Sequence, residues 1–174
     1  MLLSSALASR QPLRMNSKKV TLAVVLATTL AVAYGYGGGA PVEACGDMVP
    51  QHHVAPQSTP FPYRISVSKS NIRSGEKVLV TISGKEFKGF FVQGRVGDVP
   101  VGTFEPAPGV KLVDCGGSRG SGASHSDPNP KQQIALTWVA PPGLSETVQF
   151  RVTVAQDGGT FWVGQKSTPL TISA

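Results

Sequence analysis

The 174 residues include only two cysteines, three histidines and two tryptophans, and charged side chains make up 15% of the chain. Two cysteines are too few for a disulfide-dense scaffold, and without a Cys-x-x-Cys or His partner at ligand spacing they make a poor zinc site. No Lys/Arg stripe is interleaved with aromatics, so the usual footprint of nucleic-acid binding is missing. Beyond residue 35 no apolar pattern at i, i+3, i+4 and i+7 is long enough for a sizeable helix. No Gly-x-Ser-x-Gly turn surrounds Ser126, which removes from that serine the commonest setting for an exposed nucleophile.

What is present begins with Arg10, Arg14, Lys18 and Lys19, followed by the uncharged run "VTLAVVLATTLAVAYG" from Val20, with Ala33 and Gly35 where a signal peptidase reads small residues. Residues 1–35 therefore read as a signal peptide, with Met15 an alternative start. The run falls short of the roughly 20 apolar residues that a stable membrane anchor needs. The formal net charge of +6 is mostly leader: without its four basic residues, 12 Lys and Arg face 10 Asp and Glu, a net of +2. A secreted, extracellular chain meets an oxidising environment, and Cys45 and Cys115 are expected to pair.

The segment from Tyr36 to Pro62 is rich in Gly, Pro, Gln and His and reads as an extended lead-in held by Cys45. After it the period is two. "KVLVTIS" sets Val78, Val80 and Ile82 on one face, and "VQFRVTVA" sets Val148, Phe150, Val152 and Val154 on another. "GFFVQGRV", "KLVD", "QIALTWV", "TFWV" and "PLTIS" add further strands, separated by Gly and Pro turns. The stretch "CGGSRGSGASHSDPNP" from Cys115 reads as a polar loop. Sheets with one apolar face must cover it, so the expectation is an all-β, immunoglobulin-like β-sandwich of about seven to nine strands, with a closed barrel as the competitor.

His125, Ser126 and Asp127 carry the residue types of a nucleophilic triad, but neighbours on an extended backbone point to opposite faces. Asp127-Pro128-Asn129-Pro130 is turn chemistry, and the favoured role for His125 is a ring at a strand edge with one nitrogen hydrogen-bonded. No catalytic residues are assigned, and no cofactor is expected. His52 and His53 could join His125 around a metal, but adjacent histidines diverge, so no metal site is assigned either. Trp138 and Trp162 belong in the core. Phe90 and Phe91 must face opposite ways, one inward and the other either covered by a loop or exposed as a contact. Lys85, Lys88 and Arg95 flank that pair as a candidate anion-facing rim, against the simpler reading of scattered solvated charges.

The segments "ACGDMVPQHH", "GFFVQGR" at Gly89–Arg95, the His125–Ser126 pair and "TWVAP" through Trp138–Pro141 together resemble the reeler domain, over Cys45 to Ser173. That family is found in larger extracellular and membrane proteins and alone in small secreted insect defence proteins. The resemblance implies an immunoglobulin-like sandwich over residues 36–174 with paired cysteines matching Cys45 and Cys115. It also implies an innate-immune defence protein, antimicrobial or binding bacterial surface components such as lipopolysaccharide, for which the flanking residues Lys85, Lys88, Phe90, Phe91 and Arg95 are the candidate contacts. The alternative is a matrix, adhesion or signalling module that binds protein or glycosaminoglycan. Intact-mass measurement of the secreted protein is expected to place its first residue between Tyr36 and Val42. The mass should rise by one hydrogen per cysteine only after reduction, and two free thiols before reduction would refute the pairing.

Overall fold

The computed structural model describes residues 36–52 and 54–174; the expected leader at 1–35, its alternative start Met15, and His53 lie outside the described residues. A 3-10 turn at Val42–Cys45 precedes twelve strands. These are β1 Tyr63–Val67, β2 Asn71–Arg73, β3 Lys77–Phe87, β4 Gly89–Val96, β5 Val99–Val101, β6 Thr103–Phe104, β7 Val110–Cys115, β8 Ser118–His125, β9 Lys131–Val139, β10 Thr147–Ala155, β11 Phe161–Lys166 and β12 Leu170–Ser173. They form two sheets and not a closed barrel: a four-stranded sheet in the order β1-β3-β9-β6, and a larger one in the order β2-β12-β10-β4-β8-β7. In the larger sheet β11 pairs with the second half of β10, and β5 with the end of β4. Its pairings are antiparallel except β2 with β12.

Period-two patterning explains how the sheets meet. Val78, Val80 and Ile82 of β3 are at most 2% exposed, whereas Leu79 between them is 48% exposed. Val148, Phe150, Val152 and Val154 of β10 are fully buried on the facing sheet. The two rows interlock in one apolar cluster, as aligned sheets with apolar inner faces must.

The structure corrects two expectations. Twelve strands replace seven to nine because β2, β5 and β6, with only two or three residues each, carry too little pattern to read. More consequentially, the expected polar loop from Cys115 contains β8, an eight-residue strand running between β4 and β7. Small residues are there because of close packing. A Cβ on Gly122 would lie 2.8 Å from Cε2 of Phe91 and 3.3 Å from Sγ of Cys115.

Trp138 is the largest side chain wholly enclosed between the sheets. Its Nε1 donates to the Val101 carbonyl at 3.1 Å, and its ring meets Phe150 edge-on at 5.3 Å. Gly94 and Gly102 leave the space: a Cβ on Gly94 would sit 2.9 Å from Trp138 Nε1, and one on Gly102, where φ is +71°, would overlap the indole. Trp138→Ala is expected to cost about 3–5 kcal/mol, the range for truncating a large core aromatic. A denaturant melt checks it, and an unchanged midpoint would refute a core role for Trp138.

Candidate functional site

Residues 36–52 lie as a strap over the outer face of β4, β8 and β10, and residues 54–62 continue it alongside β11. The alternating strand pattern would leave that face in water, yet seven of the eight residues of β4 are buried. Phe91, Val113 and Cys115 meet Ala44 and Met48 of the strap in a second apolar cluster. The strap is held mostly by hydrogen bonds between its backbone and side chains of the sheet, so its own polar groups are paired where it crosses.

The bonds run along its length. Ala40 donates its N–H to Ser124 Oγ at 2.8 Å, and Ser124 Oγ donates to the Phe90 carbonyl at 2.8 Å. Gln93 Nε2 reaches the Cys45 carbonyl at 3.2 Å. Arg95 donates through Nη2 to the carbonyls of Cys45 (2.6 Å) and Gly46 (3.0 Å) at the end of the 3-10 turn, and through Nε to Gln93 Oε1 at 2.7 Å. Thr153 Oγ1 donates to the Met48 carbonyl at 2.9 Å, and Trp162 Nε1 to that of Thr59 at 3.1 Å. The Cys45–Cys115 disulfide, with Cα atoms 5.5 Å apart, closes a separation of 70 residues. In the chain-entropy model a loop of that size contributes about 4 kcal/mol. Gly39 is dictated by contact: at φ +96° it lies so close that a Cβ would overlap the His125 carbonyl.

The expected contact residues separate into two groups. Phe90 (2% exposed) lies in the inter-sheet core and Phe91 (3%) under the strap, opposite faces as alternation demands, and both are covered. Arg95 is a correction: at 3% exposure it belongs to no rim, because its guanidinium is spent on strap carbonyls. Burial, then Arg151, lower its pKa below the ordinary arginine value, against Asp98, but a guanidinium stays charged. Lys85 and Lys88 are exposed. His125 Nδ1 sits 3.2 Å from the Phe90 N–H and Nε2 3.1 Å from the Tyr36 carbonyl, which together favour the tautomer with its proton on Nε2. Its serine partner is Ser124, whose Oγ is 3.3 Å from Nδ1. Ser126, adjacent to His125 in the family signature, is exposed and contacts Asp127 at 3.4 Å. Among the described residues no group of three or more His, Cys, Asp or Glu gathers at metal-binding distance.

Under the strap runs a cleft. Its floor and walls are apolar, from Ala40, Pro41, Ala44, Met48, Phe90 and Phe91, and it encloses about 420 Å³ with its open mouth included. A second, more polar hollow adjoins it, sharing Tyr36, His52, Gly89, His125 and Ala155 and bordered by Lys88 and Asp157. His52 stands between the two, its ring edge-on to Phe161 at 5.4 Å.

Arg95→Lys is expected to cost about 1.5–3 kcal/mol, the value of a hydrogen bond to a charged group, because an ammonium cannot serve the Cys45, Gly46 and Gln93 acceptors as the guanidinium fork does. Chemical denaturation measures it; equal stability of the variant would show that the strap does not depend on Arg95.

A family model for the reeler domain matches residues 43–174. A candidate defence protein of Hyphantria cunea, Hdd11, is 40% identical over 158 residues, covering 86% of this chain and 96% of that protein. The ferric-chelate reductase 1 of Bos taurus is 34% identical over 147 residues, which cover 81% of this chain but 25% of the reductase. The reelin-N domain of F-spondin superimposes with a TM-score of 0.57 at 16% identity, over 70% of this chain and 93% of that domain. With this fold, this strap and these matches, the chain belongs to the reeler domain family.

Proposed function

We propose that this protein is a secreted defence protein that binds anionic components of bacterial surfaces, such as lipopolysaccharide, and that it works by binding and not by catalysis. The supporting observation is the match over most of both chains to an insect relative named for defence. The ferric-chelate reductase shares only the quarter that corresponds to this chain, so its activity is not carried across. His125 is engaged with Phe90, Ser124 and the strap, which leaves it no geometry for activating Ser126.

With Phe90, Phe91 and Arg95 built into the sandwich, the accessible part of the expected contact is Lys85 and Lys88. Exposed cations act on anionic surfaces mainly through screened, long-range attraction. Lipopolysaccharide binding is therefore expected to fall steeply between 0.1 M and 1 M salt, where the Debye length shrinks from about 10 Å to about 3 Å. A Lys85→Ala/Lys88→Ala variant with an unchanged melt should bind more weakly. Salt-independent binding, or full binding by that variant, would reject the lysine contact. Binding to heparin but to no bacterial component would favour the matrix-adhesion alternative.

A further inference from the structure

An open row of N–H and C=O groups at the end of a sheet is a template for another strand, and natural proteins blunt such edges. Most edges of this sandwich are blunted. On β2 the Arg73 N–H donates to the Glu76 carboxylate at 3.0 Å, and its carbonyl accepts from the Glu76 N–H at 3.1 Å. On β11 the outward carbonyls of Phe161 and Val163 accept from the Gln57 N–H at 2.8 Å and from Gln165 Nε2 at 3.1 Å. β5 is interrupted by Pro100, and its Val101 carbonyl is taken by Trp138. β6 has only two residues, and on β7 the Val110 N–H turns back to Ala107 while a bulge after Val113 breaks the row.

β1 is different. It ends the four-stranded sheet with β3 on one side only. The Ser68 N–H donates to the Leu79 carbonyl at 3.0 Å, and Ser66 with Thr81 and Arg64 with Ser83 follow in the same phase. Bonded and non-bonded pairs alternate along an antiparallel ladder, so Tyr63, Ile65 and Val67 turn their backbone groups away from β3. Among the described residues none of those N–H or C=O groups has a partner. Pro62 does not guard the row, because position 62 has the phase of the groups that face β3.

We propose that β1 pairs antiparallel with β1 of a second copy of this chain, about a two-fold axis at Ile65, which joins the two four-stranded sheets into one. The open groups are symmetric about that point: Ile65 faces the second copy's Ile65, Tyr63 faces its Val67, and each facing pair exchanges two hydrogen bonds. Ile65 and Val67 are half-buried at the rim of the core, so a neighbouring strand covers apolar surface that they show to water. Arg64, the single charge on β1, lies opposite the second copy's Ser66. A slip of two residues toward the N-terminus would set Arg64 against Arg64, and like charges directly opposite destabilise a pair. A second copy also brings a strand already ordered, whereas a free peptide must be ordered on binding. The pairing is independent of the lysine contact proposed above.

Sedimentation equilibrium of the secreted protein is expected to show monomer and dimer in exchange between about 1 µM and about 1 mM. Over the same range, amide exchange should slow for Ile65 and Val67 as concentration rises, while Arg64 and Ser66, already bonded to β3, keep their rates. Ser66→Glu places an opposite charge across from Arg64 in each copy and should tighten the dimer by about fivefold; Ser66→Lys should weaken it by a similar factor. Ile65→Pro removes the central N–H at an edge position, where proline is tolerated, and should leave a folded monomer. If that variant does not fold, the Ser66 pair carries the test. A monomer at every concentration, an Ile65 amide indifferent to concentration, full dimerisation of folded Ile65→Pro, or shifts of the same sign for the two Ser66 variants overturns the pairing. A monomer that binds a synthetic peptide of residues 61–69 overturns it too, and gives the edge to an extended segment of another protein.

Discussion

Much of this sandwich depends on one buried guanidinium. Arg95 is almost wholly enclosed and, among the described residues, has no carboxylate within ion-pair distance; its partners are the carbonyls of Cys45 and Gly46 and the amide oxygen of Gln93. An isolated buried cation is costly unless its donors are met. Here the end of the 3-10 turn supplies carbonyls that lack partners within the turn, the usual place for a basic side chain to dock. Each side satisfies the other. The turn fixes Cys45 near Cys115, and the strap beyond it covers Phe91, so the larger sheet acquires a second buried face.

The sequence made the inner core easy to read. Strict alternation in β3 and β10 places Val78, Val80, Ile82, Val148, Phe150, Val152 and Val154 with little ambiguity, since a one-residue slip would turn each row to solvent. Trp138 was legible from the same alternation, and the Cys45–Cys115 pair from two lone cysteines in a chain read as secreted. The strap was harder, because a Gly- and Pro-rich segment without period states its composition and not its path.

The signal that would have located it lies in β4. Phe91, Gln93 and Arg95 share one face of a strand that is otherwise apolar, and a face mixing an aromatic with two long polar side chains is either a wet surface or the floor under a backbone that needs donors. Pattern alone favours the first reading; burial selects the second. Ser124 was overlooked for the same reason, since its role is to receive the N–H of a residue 84 positions away. β8 was lost because its Gly and Ser residues, chosen by the Phe91 ring and the disulfide above them, imitate a flexible loop.

The strap also reverses the order of synthesis. Its anchors are separated in sequence by 84 residues for Ala40 and Ser124, 105 for Met48 and Thr153, and 103 for Thr59 and Trp162. The strap can therefore meet β4, β7 and β8 first, but its last anchors cannot form until β10 and β11 exist. Long-range closures of this kind carry their entropy cost before any contact repays it. Until the strap closes, Phe91 and the outer face of β4 stand uncovered, and Cys45 has no partner thiol before Cys115 is made. The segment ahead of β1 thus completes its fastening only after the strands it covers have been made.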